Sequence, residues 1–186
     1  DGGTLGGTPH GGRPLLFRPP PEHDYDLKFR LFSIPVRIHP GFWLVSGILG
    51  LSVMRPSRKL DNLFIFAAWV LAVLVAILVH ELGHAGMGRL FGSRRVHIVL
   101  HAMGGLAIGA DGRNRRERVL VILGGPVAGI LLGVVALGVF LGAAFVLPER
   151  ALLLVGEFFG AVAWVGLGWG LINLLPIHPL DGGQVC

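Results

Sequence analysis

Residues 74–92, LVAILVHELGHAGMGRLFG, join an uninterrupted aliphatic run to two histidines and a glutamate. The aliphatic part is suited to lipid, and ionisable side chains within a membrane segment are costly and usually functional. On a helix, His80 and His84 are four residues apart and project from one face. This spacing lets two imidazoles bind one metal ion, and Glu81 beside them is suited to take a proton from an activated water.

The composition indicates an integral membrane protein. Of the 186 residues, 53% are hydrophobic and 15% are charged, and the mean hydropathy is +0.70. Soluble domains have an apolar share of about 45–50%. The net charge of +5 comes mostly from arginines in two loops, which is typical of a topology signal. Because no aromatic-interleaved basic patch accompanies it, we expect no nucleic-acid partner.

Four apolar segments predict about four transmembrane helices. The first has 14 residues, which is short for a bilayer core of about 30 Å, unless it is tilted or extended by the preceding IPVRIHP. Residues 96–108 lie between the second and third segments. Val96, Ile98 and Leu100 alternate there with His97, Val99 and His101, and Gly104–Gly105 follow as a turn. This pattern predicts a β-hairpin. We therefore expect an all-α integral membrane protein with a small membrane-associated β-hairpin between spans two and three. The four segments are 41–54, 63–79, 119–147 and 151–175.

The distribution of basic residues predicts an orientation. Residues 89–118 carry seven arginines, whereas the loop between the last two segments carries only Arg150. Since Lys and Arg favour the cytoplasmic side, we expect a multi-pass protein of the cell membrane with HELGH toward the cytoplasm. Arg55, Arg58 and Lys59 oppose this assignment. No secretory signal peptide is seen, so we expect the internal spans to direct insertion.

Two regions are predicted along the chain. Residues 1–33 are rich in Gly and Pro near their start and are expected to form a disordered tail. Residues 34–186 are expected to form the membrane domain. The sequence opens on Asp1 and stops at Cys186 directly after a glycine-rich motif, so we expect this domain to be truncated at its C-terminus.

A third metal ligand is expected from NLLPIHPLDGG, residues 173–183. Catalytic zinc takes three protein ligands and keeps one open position. Pro176 and Pro179 break the helix here, and Asp181 follows the break. Asp181 could equally cap the next helix. His178 is a rival ligand, but it lies between two prolines with little room to turn.

Together, HELGH after a hydrophobic run, GGP at residues 124–126 and NLLPIHPLDGG resemble the site-2 protease family of intramembrane zinc metallopeptidases. The similarity covers roughly residues 34–183. The resemblance implies one Zn²⁺ bound by His80, His84 and Asp181. It implies that Glu81 is the general base and that Asn173 lines the site near the substrate carbonyl.

The resemblance also implies a substrate class. The partners would be membrane proteins with a transmembrane segment, cleaved within or near the lipid bilayer. The free edge of the 96–108 hairpin could receive an unwound substrate segment as an added strand. The sequence does not define an oligomeric state.

Two other functions compete with proteolysis. The first is a catalytically inactive homologue that acts as a membrane binding or scaffold protein, and the second is a metal transporter. Retention of His80, Glu81, His84 and Asp181 argues against the first. A transporter would be expected to spread its ligands along a path instead of gathering them at one end of the spans.

Overall fold

The computed structural model describes residues 20–54, 59–177 and 180–185. These residues form five helices and four strands. Two strands come first, followed by two helices, two further strands and three helices. Their bounds are β1 Leu27–Leu31, β2 Ile34–Ile38, α1 Pro40–Leu51, α2 Lys59–Leu90, β3 His97–His101, β4 Gly104–Ile108, α3 Arg115–Val146, α4 Glu149–Asn173 and α5 Asp181–Val185.

Three helices can span a membrane by length and composition, and they lie at Asn62–Leu90, Arg115–Val146 and Ala151–Asn173. The protein is therefore a multi-pass integral membrane protein. Helix α1 is apolar but has only 12 residues, which corresponds to about 18 Å and is well short of a bilayer core. α1 corresponds to the first predicted segment, and it is too short to count as a fourth transmembrane span.

The four strands form one mixed sheet in the order β1-β2-β3-β4. The predicted hairpin is present as β3 and β4, although its turn lies at Ala102–Met103 and Gly104–Gly105 already belong to β4. Strands β2 and β3 pair in parallel, with α1 and α2 between them in the chain. The all-α prediction is thus too narrow, and IPVRI forms a strand instead of extending the first helix.

Strand β1 also corrects the predicted tail. Residues 27–31 were expected to be disordered, but they pair antiparallel with β2 over the full length of both strands. The physical reason is a period-2 alternation of apolar and basic residues in LKFRL, which suits a strand. Residues 1–19 lie outside the described residues.

A tight turn joins β1 to β2 and rests against the end of α2. Phe32 and Ser33 both have left-handed backbone conformations, with φ of 47° and 65°. Such conformations are unfavourable for residues with a Cβ. The guanidinium of Arg89, in the last turn of α2, donates to Phe32 O and Ser33 O, each at 3.0 Å. These bonds hold the turn at the end of the membrane helix.

Helix α2 lies between the sheet and the other two spanning helices. One buried cluster joins Val73, Ile77 and Ala85 of α2 to inward-facing strand residues such as Ile98 and Leu100. On its other side α2 contacts α3 and α4. α2 is apolar around its whole circumference, as expected for a membrane span whose faces contact either protein or lipid.

Glycines allow α3 and α4 to approach closely. A methyl group built on Gly166 of α4 would lie 2.9 Å from Gly129 O and 3.2 Å from the Cα of Gly133. Small residues at four-residue intervals permit such contacts between membrane helices. Gly129 and Gly133 have this spacing in α3 and make the close contact with α4, whereas a methyl group on Gly138 or Gly142, further along the helix, would meet nothing within 4 Å among the described residues.

Candidate active site

The two histidines of HELGH converge on one point. His80 and His84 are buried on α2, and their ring centroids lie 4.9 Å apart with an interplanar angle of 76°. Their Nε2 atoms are 3.2 Å apart. One helical turn therefore presents both ring nitrogens to a single point at the end of a membrane-spanning helix.

Asp181 reaches the same point from α5. Its Oδ2 lies 3.0 Å from His80 Nε2 and 3.3 Å from His84 Nε2, and its side chain is 15% exposed. Ligands at the corners of a zinc tetrahedron with bonds of 2.0–2.1 Å are separated by about 3.3 Å. The three atoms therefore form a triangle with the dimensions of one face of such a tetrahedron.

The orientation of His84 is fixed by a backbone group of α3. Its Nδ1 lies 2.8 Å from Val121 O, so Nδ1–H donates and the neutral ring presents the Nε2 lone pair to Asp181. Metal-binding histidines usually donate their other ring N–H to a carbonyl or carboxylate, which fixes the tautomer. Without a bridging proton or cation, the lone pair and the carboxylate oxygen would repel each other.

The donor set fits a divalent cation of the zinc type. Two imidazole nitrogens and one carboxylate oxygen are ligands that zinc accepts. His80 Nδ1 is buried and has no hydrogen-bond partner among the described residues, so the His80 ring lacks the backbone contact that fixes His84. The residues present therefore fit one metal ion with an open fourth position.

Glu81 lies beside the triangle without belonging to it. It is 5% exposed, and one of its carboxylate oxygens is grouped within 4.8 Å of the ligand atoms of both histidines. Asp181 Oδ2 lies within 3.3 Å of both Nε2 atoms, which is the separation expected between ligands of one zinc ion, so the geometry fits Asp181 as the third ligand. Glu81 remains free to act on a molecule at the open position.

Strand β4 covers Glu81. A methyl group on Gly105 would overlap the Glu81 carboxylate, so the strand backbone lies directly against this side chain. β4 is an edge strand of the described sheet, with β3 on one side only. The free edge of the sheet thus begins next to the proposed base.

The GGP motif forms another wall of the site. A methyl group on Gly125 would overlap His84 Nε2, and one on Gly124 would lie 2.7 Å from Gly83 O of α2. The sequence analysis used this motif only for the family resemblance and did not identify the contact of Gly125 with His84. The available signal was the motif itself, since two adjacent glycines before Pro126 expose α3 to a close neighbour.

Asn173 is buried at the C-terminal end of α4, where its Nδ2 donates to Trp169 O at 2.9 Å. No hydrogen bond joins it to the three ligand atoms within residues 20–54, 59–177 and 180–185. The indole of Trp169 lies against Gly104 at the start of β4. The end of α4 therefore adjoins the same strand that covers Glu81. The rival ligand His178 lies outside the described residues.

These features describe an integral membrane protein in which two histidines and one carboxylate converge with the spacing expected of ligands to one metal ion. The family model described as peptidase M50B-like matches residues 44–172. The chain belongs to this family, and the resemblance to site-2 proteases seen in the sequence is confirmed.

Individual relatives agree with this assignment. The chain is 29% identical to a protein of Synechocystis sp. named as a zinc metalloprotease, over 83% of this chain and 41% of the relative. It is 26% identical to a zinc metalloprotease of Methanocaldococcus jannaschii, over 84% and 43%. It is 29% identical to stage IV sporulation protein FB of Bacillus subtilis, over 82% and 46%.

A solved structure shows the same fold. The site-2 protease from Methanocaldococcus jannaschii superposes with a TM-score of 0.60 at 25% identity, covering 87% of this chain and 69% of that one. The present chain spans less than half the length of the curated relatives named above.

Proposed function

We propose that the protein is an intramembrane zinc endopeptidase that hydrolyses peptide bonds of membrane-protein segments. The observation that carries this proposal is the triangle of His80 Nε2, His84 Nε2 and Asp181 Oδ2, with edges of 3.0–3.3 Å. The names of the relatives agree with zinc as the metal.

Each side chain has a defined task in this proposal. His80, His84 and Asp181 hold the ion, and Val121 O keeps the His84 ring in the tautomer that leaves Nε2 free. When bound, zinc supplies a Lewis acid that polarises the substrate carbonyl and lowers the pKa of a coordinated water.

Glu81 moves the proton. As the water oxygen bonds to the carbonyl carbon, a carboxylate oxygen of Glu81 takes one water proton. When the carbon–nitrogen bond breaks, Glu81 delivers that proton to the leaving amine. Burial of Glu81 and the cover provided by β4 exclude competing bulk water from the carboxylate.

The edge of β4 is proposed to bind the substrate. A peptide bond inside a membrane helix is hydrogen-bonded to its own helix, so the segment must unwind before attack. Strand addition at β4 would replace the lost helical bonds with main-chain bonds and require little sequence preference. Gly105 brings this edge against Glu81, and Asn173 lies at the end of α4, whose Trp169 contacts the same strand.

The orientation is proposed from charge. The segment between α2 and α3 is rich in arginine, which favours placement of the end of α2 on the cytoplasmic side of the cell membrane. The substrate is then a transmembrane protein cut near that side of the bilayer.

The decisive test compares Glu81→Gln with the wild-type protein on a model transmembrane substrate in detergent micelles or vesicles. Loss of a general base lowers the rate by roughly 10²–10⁴-fold, and zinc content per chain should be unchanged because Glu81 is not a proposed ligand. Glu22→Gln, at an exposed residue on the sheet surface, is the control and should cut normally. A Glu81→Gln protein that cuts at the wild-type rate would falsify the role of Glu81.

A further inference from the structure

A concave feature lies along strands β1, β2 and β3, away from β4. It is a groove of about 900 Å³ lined by these three strands, the end of α2 and the segment leading into β3. We call it the basic groove. Its charged lining comprises six cations and one carboxylate, namely Lys28, Arg30, Arg37, Arg89, Arg94, Arg95 and Glu22.

Two cations face each other directly across the strands. Lys28 and Arg37 are register partners in β1 and β2, and like charges in directly opposed positions destabilise a strand pair. Lys28 forms an ion pair with Glu22 at 2.6 Å, and Arg37 forms one with Asp26 at 2.9 Å. Glu22 and Asp26 thus compensate Lys28 and Arg37. Neither acid forms an ion pair with another cation of the groove among the described residues.

Arg37 also builds the wall of the groove. Its guanidinium donates to Pro20 O and to the buried carboxylate of Asp26. The backbone N–H of His23 and the Arg37 guanidinium lower the pKa of Asp26, against the opposing effect of burial. The pair therefore stays charged at neutral pH and fixes the chain before β1 in place.

Three further arginines have no partner of this kind. Arg30, Arg94 and Arg95 are exposed, and no hydrogen bond or ion pair is found for them within the part of the chain that the structure describes. Arg30 lies on the β1 wall, and the other two lie on the wall formed by the segment before β3. Three uncompensated guanidinium groups thus face one groove from two sides.

The position of the groove favours an occupant from the membrane. Arg89 stands in the last turn of α2, so the groove lies where a spanning helix leaves the bilayer. Exposed apolar side chains adjoin it, since Phe32 is 79% and Leu90 is 77% exposed. A combination of basic and exposed apolar residues at this depth is typical of binding to anionic membrane surfaces.

We propose that the basic groove binds the headgroup of an anionic phospholipid, with Arg30, Arg94 and Arg95 contacting the phosphate. Guanidinium groups bind phosphate oxygens through paired, charge-assisted hydrogen bonds. Bound lipid lowers the net positive charge of the groove and ties the β1–β2 part of the sheet to the membrane surface. The inference does not depend on the proposed peptidase activity.

The test titrates the purified chain in neutral detergent micelles with phosphatidylglycerol and follows the midpoint of thermal unfolding. Phosphatidylcholine with the same acyl chains is the reference for nonspecific lipid effects. We expect phosphatidylglycerol to raise the midpoint and phosphatidylcholine not to do so. The concentration dependence of the rise gives an apparent affinity.

Two matched double variants locate the effect. Arg94→Gln combined with Arg95→Gln should weaken the apparent affinity by about 30-fold, since each arginine near an anionic surface contributes roughly a factor of five. Arg115→Gln combined with Arg116→Gln removes the same charge from two adjacent exposed residues at the start of α3, and should retain the wild-type affinity. Arg30→Gln, on the opposite wall, should weaken it by about fivefold.

Each shift is measured against the same variant without lipid, so a change in basal stability does not affect the comparison. Phosphatidylglycerol that remains bound after purification, counted by mass spectrometry, should fall in the same variants. Equal losses in the two double variants would mean a diffuse charge effect and would overturn the proposal. A midpoint rise produced equally by glycerol phosphate or by an acidic peptide would also overturn it, because the groove would then bind a soluble anion.

Discussion

Asp181 Oδ2 lies 3.0 Å from His80 Nε2, although 101 residues separate the two in the chain. The contact joins the C-terminal part of α2 to the first residue of the short helix α5. α5 can reach this position because Gly182 packs where any side chain would overlap Leu174 O and Leu175 O at the end of α4. The proposed metal site therefore depends on how the chain turns after α4.

Asp181→Ala should weaken zinc binding by more than about 100-fold. Loss of a group that only hydrogen-bonds to a metal ligand weakens binding by up to about 100-fold, and Asp181 is proposed as a ligand itself. The two imidazoles would remain, but the triangle would lose one corner. Zinc affinity measured by chelator competition checks this prediction. Asp24→Ala, at an exposed residue before β1, should bind zinc normally. Equal affinities in the two variants would reassign the third ligand.

Gly125→Ala should impair zinc binding because the added methyl group overlaps His84 Nε2. The ring must then move away from Asp181, or α3 must move away from α2. Gly142→Ala on the same helix is the matched control, since a methyl group there meets nothing within 4 Å. The control should be neutral or more stable by up to about 1 kcal/mol, the helix propensity difference. Zinc content and the thermal midpoint of both variants distinguish a site effect from a helix effect.

Gly105→Ala should lower the cleavage rate while zinc remains bound. The methyl group would overlap Glu81, whose side chain supplies its three nearest atoms. A displacement of about 1 Å at a reacting group can change a rate by roughly 10²-fold. Gly86→Ala on α2 has free space around it and serves as the control. The idea fails if Gly105→Ala loses zinc as well as activity, since the strand would then support the ligands.

Ser33→Gly should stabilise the protein by roughly 1 kcal/mol, because glycine adopts a left-handed conformation without the penalty that other residues carry. Ser33 has φ of 65°. Arg89→Gln should act in the opposite direction, since it removes both hydrogen bonds that hold this turn. Thermal unfolding in micelles measures both effects. A destabilised Ser33→Gly variant would show that the serine side chain adds more to the stability of the protein than the strained backbone at this position costs.

Local patterns were sufficient to predict much of this structure. His80 and His84 lie four residues apart, so one helical turn determines their relation, and the buried rings converge as the spacing predicts. The alternation in residues 97–101 likewise predicted a strand of the hairpin. Asp181 was different. Its approach to His80 depends on the whole helical arrangement. The sequence placed it ahead of His178 only because His178 lies between two prolines, and the family resemblance supplied its role as a ligand.

The first two strands were missed for identifiable reasons. Their turn is Phe32–Ser33, whereas two-residue hairpin turns usually carry Asn-Gly or Asp-Gly, and Arg89 supplies the missing stabilisation from a distance of 56 residues or more. Pro35 argues against a central strand. It is tolerated because the pairing of β2 with β3 begins only at Val36.

Because the carboxylate at position 181 follows the histidine helix by about a hundred residues, the order of synthesis matters. A growing chain inserts the histidine pair into the bilayer well before the ribosome reaches the aspartate. On the proposed assignment, the nascent protein cannot close its ligand set, and so cannot cut neighbouring membrane proteins, until helix α4 has also been synthesised.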